Sequence, residues 1–170
     1  FTNPEDEETT SKACDVQAVG YKILQDKIYF GFKLYQPVTT WHLCELSVLF
    51  DTDDDGKADQ ELAGVSMASV QGLPSQDKFI SLLLNANIAR TLRQQYETSV
   101  ILNKPIPLTY ISAVEDAQPM IPLNHSTVAV VVADLSKIHP QKKSGLVSFK
   151  IASSSREEYN AEDDDYLGTD

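Results

Sequence analysis

The residues best suited to chemistry stand in one short run, Asp51-Thr52-Asp53-Asp54-Asp55-Gly56-Lys57-Ala58-Asp59. The run fits D-x-D-x-D-G-x-x-D. Carboxylates at its first, third and fifth positions can wrap round one hard cation, and calcium takes six to eight oxygens at about 2.4 Å. Gly56 permits the sharp turn that brings the Lys57 carbonyl inward at position seven. Asp59, at position nine, reaches the ion directly or through water. The expected calcium ligands are therefore Asp51, Asp53, Asp55, Lys57 and Asp59, with Asp54 facing solvent. The run departs from an EF-hand: position twelve is Leu62, Glu61 sits one place early, and the preceding segment reads as a strand rather than a helix. A merely acidic turn is the alternative reading of the same residues.

Nothing comparable supports catalysis. A nucleophilic serine needs a base and an orienting acid. Gly64-Val65-Ser66-Met67-Ala68-Ser69 resembles the G-T-S-M-A-S stretch round the nucleophile of subtilisin-like proteases. Those enzymes carry their base in a His-Gly-Thr type motif. His42, His125 and His139 lie in Trp-His-Leu, Asn-His-Ser and Ile-His-Pro, and none matches. Ser66 is read as a small strand residue, the histidines as surface or turn residues, and the chain as non-catalytic. Asn124-His125-Ser126 is a formal glycosylation sequon.

The elements that must position the acidic run are strands. Ile28, Phe30, Phe32 and Leu34 alternate with Tyr29, Gly31, Lys33 and Tyr35, the period-two pattern of a half-buried strand. Cys14–Ile23 precedes it across the polar break Gln25-Asp26-Lys27, which implies a hairpin. In Trp41–Phe50 the inward set is Cys44, Leu46, Val48 and Phe50. Further strands are expected at Glu61–Val70, Lys78–Leu84, Ser99–Leu102, Leu108–Val114 and Leu146–Ile151. Thr127–Ala133 is nearly all β-branched or small, and reads as a central strand buried on both faces. Asn87–Gln95 is the one expected helix. The fold class is all-β: a two-sheet antiparallel sandwich, jelly-roll or Ig-like, with at most one short helix. Cys14 shares a face with Val16 and Ala18, and Cys44 points inward too, so the two cysteines can meet as a disulfide.

The 170 residues suffice for one domain, and the net charge is −11. Seventeen of the 25 acidic residues fall in 1–8, 51–61 and 156–170. The domain is accordingly bounded at 13–153, between a flexible acidic N-terminal segment, 1–12, and an acidic tail or linker, 154–170. Acidic ends without a basic stripe argue against a nucleic acid partner. The apolar runs are too short to span a bilayer. The chain opens on Phe1 with no basic-then-apolar leader, which is expected of a processed form or a slice of a longer polypeptide.

The strand leading through Leu49-Phe50 into the acidic run, followed later by Ala133-Asp134-Leu135-Ser136, is similar to β-sandwich accessory domains of bacterial secreted proteins. It resembles most those found C-terminal to the catalytic domain of secreted subtilisin-like serine proteases, whose corresponding stretch reads iDtDgDGkpDye. This chain has Asp54 where that pattern prefers glycine. The resemblance implies a calcium-stabilised accessory domain, secreted or at the cell surface, with a neighbouring catalytic domain as partner. The alternative function is a carbohydrate-binding or adhesion module that uses Tyr29, Tyr35 and Trp41 on a polysaccharide or protein surface.

Overall fold

Alternating apolar residues form strands here because each strand can bury one face and hydrate or cover the other. A computed structural model describes residues 14–38, 44–66, 79–101, 118–119, 126–138, 147–155 and 164–166. Val16–Leu24 (β1) and Lys27–Leu34 (β2) make the expected hairpin, with Leu24 paired to Lys27 across Gln25 and Asp26. Gln25 has φ 55°, the positive value that a type II′ turn needs at its first central residue. Val128–Asp134 (β7) pairs antiparallel with β2, and Lys27 and Asp134 add an ion pair of 3.1 Å at that end.

The second sheet contains Cys44–Asp51 (β3), Gln60–Ser66 (β4), Phe79–Asn85 (β5), Gln118–Pro119 (β6), Ser148–Ser155 (β8) and Asp164–Tyr166 (β9). Its order is β6-β5-β4-β3-β8-β9, and that of the first sheet is β1-β2-β7; all described pairings are antiparallel. Pro119 lies in a two-residue strand at the sheet's border, where a missing N–H is tolerated.

The two sheets bury their inner faces against each other. Phe30, Phe32, Leu34, Ala129, Val131 and Ala133 meet Leu46, Val48, Phe50, Leu62 and Ile151 in one cluster. Phe30 sits at its centre, edge-on to Phe50 at 5.9 Å and to Phe149 at 5.1 Å between ring centroids. The all-β two-sheet sandwich is the observed architecture, with one α-helix among the described residues.

The helix, Ala86–Ile101 (α1), packs on the outer face of β4 and β5. Ala86, Ala89 and Leu92 are buried, as are Ala63, Ile80 and Leu82 on the strands that the helix covers. Asn85 starts the helix as its N-cap: its side-chain oxygen accepts from the Asn87 and Ile88 amides at 3.0 and 3.4 Å. The covered face also carries a buried polar pair, with the Ser47 hydroxyl donating to Glu61 at 2.7 Å.

Three expectations need correction. Ser99–Ile101 belong to the helix rather than to a strand; β-branched Val100 and Ile101 lower helix propensity by only tenths of a kcal/mol per residue, roughly, too little to end a helix already propagating. Among the described strands β7 lies at the border of its sheet rather than at the centre, and Val128 is exposed at its start. Its Val132 amide donates to the Ser81 hydroxyl of β5 at 3.1 Å, so the border leans on the other sheet. The segment 154–170, read as tail or linker, contains the end of β8 and the short strand β9 paired to it. The N-terminal segment 1–12, Trp41, the three histidines and Leu108–Val114 lie outside the described residues.

Cys14 and Cys44 are joined as a disulfide, with Cα atoms 5.5 Å apart, both buried in the core cluster. The link spans a sequence separation of 30 residues. Closing such a loop in the unfolded chain is worth about 3–4 kcal/mol. The Cys14→Ala/Cys44→Ala double variant should lose about that much in urea unfolding, while the wild-type protein, denatured without reductant, should leave maleimide unreacted at both positions.

Candidate metal site

The acidic run is the connection between β3 and β4. β3 ends at Asp51 and β4 begins at Gln60. Phe50 pairs with Gln60, and the Asp59 amide donates to the Phe50 carbonyl at 2.8 Å, so the loop is closed at its base. Two further ties fix it. The Ala86 amide, at the start of α1, donates to the Asp59 carbonyl at 2.8 Å. The Gln60 side-chain amide donates to the Lys137 carbonyl at 2.9 Å, in the 3₁₀ turn Leu135–Lys137 that follows β7.

Inside the loop, backbone amides gather the carboxylates. Asp51 Oδ1 accepts from the Asp54 amide and, at 3.2 Å, from the Asp55 amide; Asp51 Oδ2 accepts from Gly56 at 2.9 Å. Asp53 Oδ1 accepts from the Asp55 amide at 3.1 Å. Asp59 Oδ2 accepts twice from Thr52, from its amide at 2.8 Å and its hydroxyl at 2.6 Å. A carboxylate oxygen has two lone pairs, so Asp51 Oδ2 and Asp53 Oδ1, with one of these bonds each, keep room for another partner. The amides offset the mutual repulsion that would otherwise spread these acids apart.

The result is a cluster of oxygens. One carboxylate oxygen from each of Asp51, Asp53 and Asp59 lies within 4.8 Å of the others, and all three residues are half-buried. Asp55 is not in that group: its Oδ1 accepts from the Lys57 amide at 2.8 Å, and both Asp55 and Lys57 are exposed. Three of the four expected acidic ligands are thus brought together. Asp54 is exposed as expected, with φ 65°, and Gly56 has φ 85°. The donor set is oxygen only, which suits a hard cation rather than a thiolate- or imidazole-seeking metal.

The hydrogen bond missed in the sequence is that of Thr52, a buried residue between two expected ligand positions of the pattern and with no role in it. Its hydroxyl, then its amide, hold the Asp59 carboxyl below the ordinary carboxylate range, with a smaller contribution from the Asp53 amide and partial opposition from burial. The other residues singled out by sequence are elsewhere: Tyr29 is half-buried on β2, Tyr35 half-buried just beyond it. Ser66 ends β4, and the three histidines fall outside the described residues.

The fold and the loop define a class, a two-sheet antiparallel β-sandwich with an acidic, oxygen-lined inter-strand loop. No family model matches the chain, and no curated protein or solved structure matches it.

Two outcomes follow from the loop's geometry. A depressed native pKa means that Asp59 contributes stability above its unfolded pKa and loses it as pH falls through the native value. The Asp59 carboxyl carbon, followed by NMR, should therefore titrate below the ordinary range in the metal-free protein, and Thr52→Val should move its midpoint upward. Asp54 occupies the left-handed region, which costs an L-residue roughly 1 kcal/mol and glycine nothing. Asp54→Gly should raise unfolding stability by a few tenths to about 1 kcal/mol, part of the relief being offset by the freer unfolded chain.

Proposed function

We propose that this protein is a non-catalytic β-sandwich domain of a secreted or cell-surface protein, and that calcium bound in the 51–59 loop stabilises it. The observation that carries the reading is the convergence of Asp51, Asp53 and Asp59 oxygens within 4.8 Å in a loop tied at both ends to the sandwich. Calcium tolerates irregular oxygen shells and flexible loops, whereas magnesium demands a near-octahedral site and gives up its waters reluctantly. Asp55 and the Lys57 carbonyl complete the proposed ligand set when the Asp55 side chain exchanges the Lys57 amide for the ion. The disulfide between Cys14 and Cys44 supports an exported setting, since such links persist in oxidising compartments.

The narrower form of the reading is an accessory domain attached to a secreted subtilisin-like serine protease. It rests on the similarity of the loop and its leading strand to the iDtDgDGkpDye pattern. In that setting the sandwich helps the neighbouring catalytic domain persist or meet its substrate, and the protease supplies all the chemistry.

Binding to the native state alone adds RT ln(1 + [L]/Kd), about 2.7 kcal/mol at a hundredfold excess of calcium over Kd. Chelation should lower the melting temperature, and amide exchange should quicken first in 51–60. Asp53→Ala should abolish the response to calcium, and magnesium should restore little of it. Identical melting curves in calcium and in chelator would sink the calcium reading.

A further inference from the structure

Asp55-Gly56 is the one Asp-Gly step in the chain, and the sequence has no Asn-Gly. Glycine leaves the following amide sterically open, and here a Cβ on Gly56 would meet nothing within 4 Å. Both residues are exposed. The Gly56 nitrogen is the one atom able to attack the Asp55 side-chain carboxyl and close a five-membered imide, and two hydrogen bonds bear on that reaction. The Lys57 amide donates to Asp55 Oδ1 at 2.8 Å, which folds the carboxyl back over the Asp55-Gly56 peptide and polarises it as an electrophile. Asp51 Oδ2 accepts the Gly56 N–H at 2.9 Å, so the proton that must leave the nucleophile already points at a carboxylate.

We infer that Asp55 is a self-modification site, at which the folded loop promotes formation of a succinimide and then of a β-linked aspartate. The Gly56 nitrogen forms a bond to Cγ of the Asp55 carboxylic acid. Its proton passes to Asp51 Oδ2 and on to the departing hydroxyl, which leaves as water when the Cγ–O bond breaks. Water then opens either imide carbonyl, returning Asp55 or inserting its side-chain carbon into the backbone. No oxidant or further reactant is consumed. Insertion adds one backbone carbon between positions 55 and 56 and so changes the spacing of the loop. The site rests on the peptide and its two hydrogen bonds and needs no ion, and an ion bound by Asp51 and Asp55 would take up both the proton acceptor and the electrophile.

The test is peptide mapping with electron-transfer fragmentation on the full chain, aged natively in chelator, in parallel with the same chain aged in urea. Native protein should accumulate β-linked Asp55 faster than unfolded protein, on the order of tenfold, below the range of an evolved general base. A native rate equal to or slower than the unfolded rate overturns the inference. Asp51→Asn should bring the native rate down to the unfolded one, and a folded Asp51→Asn protein that ages as fast as wild type overturns it too. If that variant fails to fold, the wild-type comparison still decides. Added calcium should slow the native reaction; a fast native reaction indifferent to calcium upholds the modification and counts against the calcium reading.

Discussion

Four parts of the molecule converge on the register of β3. Its inward residues Cys44, Leu46, Val48 and Phe50 close the sandwich, and its first residue carries one end of the disulfide. Its outward residues Glu45 and Ser47 are buried as well, and Ser47 bonds to Glu61 on the neighbouring strand. Its last residue, Asp51, receives the amides that shape the acidic loop. A slip of one residue would exchange the two faces. It would place Glu45 and Ser47 in the apolar core, break the bond to Glu61 and rotate Asp51 away from its amide donors. The apolar core and the candidate site are therefore held by the same strand, and neither can change register alone.

Electrostatics at the loop end obeys a second constraint. Like charges in a short loop repel, and the structure counters this with the fixed dipoles of backbone amides. Lys57 is exposed, whereas six backbone amides, those of Thr52, Asp53, Asp54, Asp55, Gly56 and Lys57, reach carboxylates. The start of α1 lies against the same end through the Ala86 amide and the Asp59 carbonyl. A helix N-terminus carries partial positive charge, which favours acids nearby. This field is preorganised by folding, so the acids can stay close together before any ion arrives.

Much of this was legible in the sequence because it rests on period-two patterns and on local chemistry. The alternation in β2 and β3 named their core residues; of the inward set expected at the last strand, Ile151 and Val147 pack on the core, whereas Phe149 is exposed and meets it through its ring on Phe30. The D-x-D-x-D-G-x-x-D spacing located the loop, although it grouped Asp55 with acids from which its bond to Lys57 keeps it apart. What remained hidden depends on tertiary context. A run such as Val128–Ala133 is equally suited to a central strand or to a border strand leaning on another sheet. Ile88 marks the helix in the sequence but is exposed, while small Ala86 and Ala89 do the packing. The outward Ser47 and Glu61 look like solvent-facing residues of an alternating strand. Nothing local announces that both will be buried.

The hydroxyl of Ser81 at the Val132 amide has a consequence for the solubility of the smaller sheet. A bare strand border is a template on which another polypeptide can build. At β7 one outward amide is already spent on the facing sheet, so an incoming strand would find the ladder interrupted. At the opposite border, β1 changes register between Val16 and Ala18 and carries exposed Lys22 further along. A bulge twists a border out of alignment, and a lysine would have to shed water to lie beneath a neighbour. Among the described residues the smaller sheet thus ends by unrelated means on its two sides, a stitch at β7 and a bend with a charge at β1, and each hinders the addition of a further strand.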